Sequence, residues 1–144
     1  MGRVVVHLDS NPKDSNIESL IRRYLERVKP RGISIEIFGL KRGAKNYESE
    51  LSRLPGKLVL LDEEGSSVSS ERFAEWLNFA HLDSNPTNLV VGPPDGFSDE
   101  FKQSADQLIS LSELTLTHEM AAALLMEQLY RASEINRGSA YHRN

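Results

Sequence analysis

The sequence predicts an α/β fold in which helices cover both faces of a mostly parallel sheet. Short apolar segments of strand length alternate with amphipathic segments of helix length, in the order β-α-β-α-β-α-β-α-β-α, which is typical of this fold class. The segment 57–61 (KLVLL) is apolar on both of its faces, as expected for a central parallel strand that is covered on each side. Connecting segments are short, so we predict a single domain over residues 1–144.

The first half of the chain contains three predicted strands and two predicted helices. Residues 3–8 form a β-branched run that ends in a cluster of turn residues. A helix over 15–28 is predicted from a capping box, in which Ser15 is followed by Glu18. Its apolar face consists of Ile17, Leu20, Ile21, Tyr24, Leu25 and Val28. The remaining elements of this half are a strand over 34–40 with alternating isoleucines, a helix over 47–54 and the strand over 57–61.

The second half continues the same alternation. Its predicted elements are a helix over 69–81, a strand over 89–91, a helix capped by Ser98, a strand over 108–111 and a long helix from His118. Two acidic residues follow Ser98 in the first turn, where the helix dipole favours them. The predicted apolar face of the long helix consists of Ala121, Leu124, Leu125, Leu129, Ala132 and Ile135.

Composition and charge exclude several classes of protein. No apolar run approaches the roughly 20 residues of a membrane span, and the N-terminal residues do not form a signal peptide, so we expect a cytoplasmic protein. Without cysteine there is no disulfide framework and no thiolate metal site, and the four histidines are too scattered to predict a metal site. The net charge is −4, but residues 1–60 carry +5 (12 basic, 7 acidic) and residues 61–144 carry −9 (5 basic, 14 acidic). Such asymmetry is compatible with a face that meets a polyanion.

The common nucleotide and hydrolase motifs are absent from the chain. There is no G-x-G-x-x-G after the first strand, no phosphate-binding P-loop and no nucleophile elbow. Two features remain: a Gly-Pro-Pro-Asp-Gly segment (92–96) and a strand end at Leu61 and Asp62. Taken alone, the first is better explained by a tight turn than by a ligand-binding loop. Both follow predicted parallel strands, and ligands of open α/β sheets bind at that end of the strands.

Four segments resemble one known family. They are Leu61–Gly65 with the helix start 69–74, the glycine loop 92–96, the loop 111–118 (LSELTLTH), and the segment 127–132 (EQLYRA) together with Tyr141, His142 and Arg143. The chain thereby resembles the SPOUT-class methyltransferases, and specifically the RlmH family, which methylates N3 of a pseudouridine in 23S rRNA. The resemblance covers nearly the whole chain.

The resemblance implies a fold, a cofactor and a set of site residues. It implies a deep trefoil knot within about residues 88–144, a homodimer, and 23S rRNA in the ribosome as substrate, without a metal or a membrane. The cofactor S-adenosylmethionine would be bound by Leu61, Gly92, Gly96, Leu111, Ser112, Glu113, Leu114, Thr115 and Leu116. The catalytic residues would be Tyr141, His142 and Arg143, and rRNA phosphates would meet Arg22, Arg23, Lys41, Arg42 and Lys45.

Three positions depart from the family pattern and leave alternatives open. Pro93 stands in place of a second glycine, Thr117 in place of a proline, and Ala122 in place of an arginine. Proline has no backbone N–H, so a cofactor contact through that amide is lost. Beside an rRNA methyltransferase, the sequence is therefore compatible with a SPOUT-fold RNA- or ribosome-binding protein with lost or altered methyltransferase activity. A related methyltransferase with a different RNA target is a third hypothesis.

Overall fold

A computed structural model describes residues 2–39 and 44–143, with the side chains of Ala44 and Lys45 left out of that description. Strands and helices alternate along these residues as predicted. The strands are β1 (Val4–Leu8), β2 (Ile33–Ile37), β3 (Lys57–Ser67), β4 (Thr87–Val90) and β5 (Gln107–Ser110). The helices are α1 (Ser15–Val28), α2 (Ala44–Ser52), α3 (Ser70–Leu82), α4 (Asp99–Ser104) and α5 (His118–Arg137).

The strands form one five-stranded sheet in the order β2-β1-β4-β3-β5. All four pairings are parallel. The chain therefore passes from β4 over β3 to reach β5 at the sheet edge. Because every strand points the same way, the loops that follow β3, β4 and β5 leave the sheet side by side at one edge.

Helices cover both faces of the sheet, which confirms the predicted fold class. On one face, α1, α3 and α5 enclose the larger core, which includes the fully buried Phe73, Leu77, Leu125 and Leu129. On the other face, the short helices α2 and α4 enclose a smaller aromatic core around Tyr47, with Phe97 and Phe101. Burial of these apolar surfaces is the main force that holds the layers together.

The start of α1 differs from its prediction. Asp14, and not Ser15, is the N-cap, because its carboxylate accepts hydrogen bonds from the N–H groups of Asn16 (2.8 Å) and Ile17 (3.4 Å). Its extended backbone (φ −78°, ψ 116°) directs the short side chain back over the first turn. Glu18 does not close a capping box and pairs with Arg22 one turn along the helix at 2.9 Å.

Strand β3 is longer than predicted, extending to Ser67 instead of ending at Leu61. Its pairing with β5 is interrupted after Leu61 and resumes at Ser66. Gly65 allows this return, because a Cβ atom at this position would lie 2.6 Å from the backbone carbon of Leu108. The segment 62–65, predicted as a loop beyond the strand, is thus an irregularity within it.

Helix α5 begins and ends at residues with clear capping roles. The Thr117 side chain accepts a hydrogen bond from the N–H of Met120, and Gly138 ends the helix in the left-handed conformation (φ 73°). The predicted apolar face is partly wrong, since Ala122, Ala123 and Met126 are buried. Among the described residues, no helix is both long and apolar enough to cross a membrane.

Candidate active site

Three loops at the carboxyl edge of the sheet converge on one cavity of about 250 Å³. They are the irregular segment of β3, the loop after β4 and the loop after β5. Of the residues predicted to bind a cofactor, those that line the cavity are Leu61, Gly92, Gly96, Leu111, Ser112, Leu114, Thr115 and Leu116. Glu113 is not part of the lining. Segments that are about 20 to 30 residues apart in sequence thus form one concave site.

The segment after Leu61 contributes carboxylates to the cavity. Asp62 and Glu63 both line it. The Asp62 side chain is only 9% exposed, and its carboxylate lies 3.3 Å from Nζ of Lys102 on α4. It also accepts a hydrogen bond of 2.9 Å from the N–H of Glu64. Lys102 thereby holds Asp62 in place, while the exposed Glu63 adds negative charge to the cavity wall.

The glycine loop after β4 is shaped by a tight turn. The Gly96 N–H donates to the Pro93 carbonyl at 2.9 Å, and Gly96 adopts φ +76°, which other residues rarely adopt. Gly92 packs under the Phe97 ring, where a Cβ atom would lie 3.1 Å from the ring carbons. The Tyr47 hydroxyl donates to the Val91 carbonyl at 3.1 Å and fixes the start of the loop.

The loop after β5 is held by serine side chains. The Ser112 hydroxyl accepts from the N–H of Leu114 at 3.0 Å, and the Ser110 hydroxyl donates to the Ser112 carbonyl at 3.0 Å. These bonds turn the chain so that the Leu114 side chain is 75% exposed beside the cavity. A large apolar side chain in this position is available to cover a bound ligand.

Two side chains at the start of α5 were not predicted as site residues, and of these two His118 lines the cavity whereas Glu119 does not. His118 also acts electrostatically on the buried Asp9 at the end of β1. Burial raises the pKa of the Asp9 carboxyl, and His118 opposes part of that rise. Glu119 accepts backbone hydrogen bonds from Lys13 (3.0 Å) and Asp14 (3.3 Å), which ties α5 to the loop after β1. The available signal for His118 was its place at the end of the resembling loop 111–118; no local signal pointed to Glu119.

The C-terminal tail lies elsewhere on the same chain. Tyr141, His142 and Arg143 do not line the cavity. The Tyr141 hydroxyl donates to Glu127 on α5 at 2.8 Å, and its ring meets the Tyr130 ring edge-on with centroids 4.7 Å apart. The tail therefore packs against its own α5, and this chain does not bring the three predicted catalytic residues to its own cavity.

The predicted RNA-binding residues are spread along the first half of the chain. Arg22 and Arg23 are exposed on α1, although the ion pair with Glu18 offsets part of the Arg22 charge. Lys41 and Arg42 lie outside the described residues, as does the side chain of Lys45. Within the described part of the chain, no group of three or more metal-binding side chains is present.

Comparison with known proteins first gives the structural class. The fold is similar to that of TrmJ from Z. mobilis ZM4, with a TM-score of 0.56 and 9% sequence identity over 92% of this chain and 70% of that chain. At this identity the likeness concerns the fold alone. The parallel sheet of this chain thus has the same α/β fold as that protein.

The sequence then gives the family. A family described as "Predicted SPOUT methyltransferase" matches residues 3–142, and the chain belongs to this family. A relative from Koribacter versatilis, named "Ribosomal RNA large subunit methyltransferase H", is 39% identical over 90% of both chains. A protein of the same name from Syntrophotalea carbinolica is 39% identical over 89% of this chain and 86% of its own length. The resemblance found in the sequence is confirmed.

Proposed function

We propose that this protein transfers the methyl group of S-adenosylmethionine to N3 of a pseudouridine in the 23S rRNA of the large ribosomal subunit. One observation carries the proposal: the three loops that the RlmH resemblance assigns to the cofactor converge on a single cavity. The names of the relatives support an rRNA substrate. The choice of N3 and of pseudouridine comes from the resemblance.

The cavity fits the chemistry of the proposed cofactor. S-adenosylmethionine supplies an activated methyl group on a cationic sulfonium, together with a flat adenine ring. Apolar side chains of Leu61, Leu111 and Leu116 suit the ring, and the exposed carboxylate of Glu63 suits the positive charge, whereas the Asp62 carboxylate is already paired with Lys102. The pairing of β3 with β5 is interrupted between Leu61 and Ser66, so the backbone of this segment is not committed to that pairing, although the Glu64 N–H already donates to Asp62.

Methyl transfer places two demands on the chain's own residues. The loops must hold the methyl donor and the acceptor in line and exclude water. Catalysis therefore depends more on positioning these two groups than on side chains that form covalent bonds. The acceptor N3 carries a proton that must leave. A basic or cationic group near it would accept that proton or stabilise the deprotonated base, and the resemblance assigns this step to Tyr141, His142 and Arg143.

A homodimer would bring the tail of one chain to the cavity of the other. Each tail is bound to its own α5 and lies away from its own cavity, so we propose that it serves the cavity of the partner. The C-terminal trefoil knot belongs to the same proposal, and the crossing from β4 over β3 to β5 is compatible with it. Exposed Arg22 and Arg23 would contact rRNA phosphates and help to position the substrate.

Label transfer tests the proposed reaction. The protein is incubated with radiolabelled S-adenosylmethionine and with ribosomes that lack the modification, and the modified nucleotide is mapped. We expect label at one pseudouridine of 23S rRNA. Cofactor binding without transfer would favour the RNA- or ribosome-binding alternative, and label in another RNA would favour a methyltransferase with a different target.

Mixed dimers test the contribution of the partner's tail. A variant with a filled cavity, Ala121→Trp, and a variant with the tail disabled, His142→Ala, should each be inactive alone. Random mixing of equal amounts gives half heterodimers with one complete site each, or about a quarter of wild-type activity. A mixture that stays inactive while both variants fold and dimerise would contradict the shared site.

A further inference from the structure

Glu71, in the first turn of α3, contacts the tail at its central residue. Its Oε1 lies 2.8 Å from His142 Nε2, although the two residues are 71 positions apart in sequence. This hydrogen bond holds the pKa of the Glu71 carboxyl below its usual value. Glu71 is therefore an ionised acceptor, and His142 Nε2 carries the hydrogen that it donates.

The other ring nitrogen of His142 is also engaged. Its Nδ1 lies 3.1 Å from Nη1 of Arg131 on α5. A guanidinium is only ever a donor, so Nδ1 must be the unprotonated acceptor. The two contacts together fix His142 as the neutral tautomer with hydrogen on Nε2, and they fix the plane of its ring.

Arg131 is itself fixed by a second carboxylate. Its Nη2 and Nε donate to the two oxygens of Glu127, at 2.8 and 3.4 Å. The guanidinium also lies over the Tyr141 ring, 4.9 Å from its centroid, and the hydroxyl of that ring donates to Glu127. Arg131 therefore has little freedom to follow a rotation of the His142 ring. Such a rotation would break the contact between His142 Nδ1 and Arg131 Nη1.

We infer that Glu71 is a positioning residue for the proposed methyl transfer, acting through His142 to orient the ring and leave its only lone pair on Nδ1. The inference rests on the proposed function and names a residue that the family resemblance did not assign. When the tail meets substrate, Nδ1 can take up a proton in exchange for its contact with Arg131 Nη1, while the bonds of Arg131 Nε and Nη2 to Glu127 remain. Glu71 then faces the resulting imidazolium and stabilises its charge.

The tautomer of His142 tests this inference independently of activity. Proton–nitrogen NMR of the imidazole, assigned by comparison with a His142→Gln variant, should show hydrogen on Nε2 in the wild type. Glu71→Ala should give a mixture of tautomers. Glu71→Gln keeps an acceptor oxygen and should retain the wild-type signal. Glu75→Ala, an exposed glutamate on the same helix, is the matched control and should change nothing.

Kinetics give the second readout. We expect kcat for Glu71→Ala to fall by about tenfold to a hundredfold, with an unchanged KM for S-adenosylmethionine, and Glu71→Gln to recover most of the rate. The melting temperature should stay near that of the wild type, because the Glu71 side chain is 55% exposed and such pairs add little stability. A merely structural role would leave kcat unchanged.

Two results would overturn the inference. One is an unchanged tautomer in Glu71→Ala, and the other is a normal kcat in that variant while the wild type is active. If the wild type transfers no methyl group at all, the proposed reaction fails. In that case the NMR result alone decides whether Glu71 orients His142.

Discussion

The cavity and the tail of this protein are built from opposite kinds of interaction. The shape of the cavity depends on backbone turns and on glycines that let strands and loops approach closely, although carboxylates also line it. The tail is held by charged and polar groups centred on Arg131 and Glu127. A substitution that adds volume should therefore disturb the cavity, whereas a substitution that removes a charge should disturb the tail.

The largest effect is expected from added volume at Gly65. A Cβ atom there would lie 2.6 Å from the Leu108 carbon and 2.7 Å from the Ile109 nitrogen, and neither backbone atom can move without shifting β5. We expect Gly65→Ala to lose about 1–3 kcal/mol of unfolding free energy. Binding of S-adenosylmethionine, measured by calorimetry, should weaken by about tenfold or more.

The matched control for this substitution is the neighbouring Ser66→Ala. Ser66 already has a Cβ atom and is exposed, so its replacement should leave stability and binding unchanged. If Gly65→Ala bound the cofactor like the wild type, the close approach of β3 and β5 would not determine the shape of the cavity.

The fold could be predicted from the sequence because its signals are local. Strand and helix periods gave the order of elements, and a parallel sheet implies that strand-end loops share one edge. The strand order could not be predicted from these periods, since β3 lies between two strands that follow it in sequence. The cap of α1 shows the limit of local reasoning: Asp14 and Ser15 are both good N-caps, and only the backbone angles distinguish them.

The tail was harder to predict than the cavity. The RlmH resemblance identified Tyr141, His142 and Arg143, but no sequence pattern indicates that they pack on their own chain. The contact of His142 with Glu71 joins residues 71 positions apart, and each partner is an ordinary polar residue in its local segment. Long-range polar pairs of this kind have no periodicity, so they are found only in the structure.

A smaller effect, confined to the tail, is expected from removal of the Arg131 charge. Arg131→Met keeps the apolar stem but loses the bonds to Glu127 and His142. We expect a loss of about 0.5–1.5 kcal/mol, sharper NMR signals for residues 141–143, and unchanged cofactor affinity. Arg72→Met, which removes an exposed guanidinium from α3, is the control. Weaker cofactor binding in Arg131→Met would mean that tail and cavity are coupled within one chain.

The smallest effect concerns the pH dependence of the segment where α5 passes into the tail. Hydrogen bonds from Ser139 and from Arg31 lower the pKa of the Glu134 carboxyl from 4.5 to about 2. A carboxyl with a lowered folded-state pKa binds fewer protons folded than unfolded, so its stabilisation is complete above about pH 4.5 and is lost as the pH falls toward 2.

Glu134→Gln removes this titration while keeping the size and polarity of the side chain. The variant should melt at a lower temperature than the wild type at pH 7, because Arg31 loses a carboxylate partner at 3.0 Å. Between pH 5 and pH 3 its melting temperature should fall less steeply, since one proton fewer is taken up on unfolding. Glu26→Gln, a change at an exposed glutamate on α1, should keep the wild-type slope. Equal slopes for Glu134→Gln and the wild type would show that the pKa of the Glu134 carboxyl does not change on folding. Glu134 would then not belong to the charged groups that stabilise the tail.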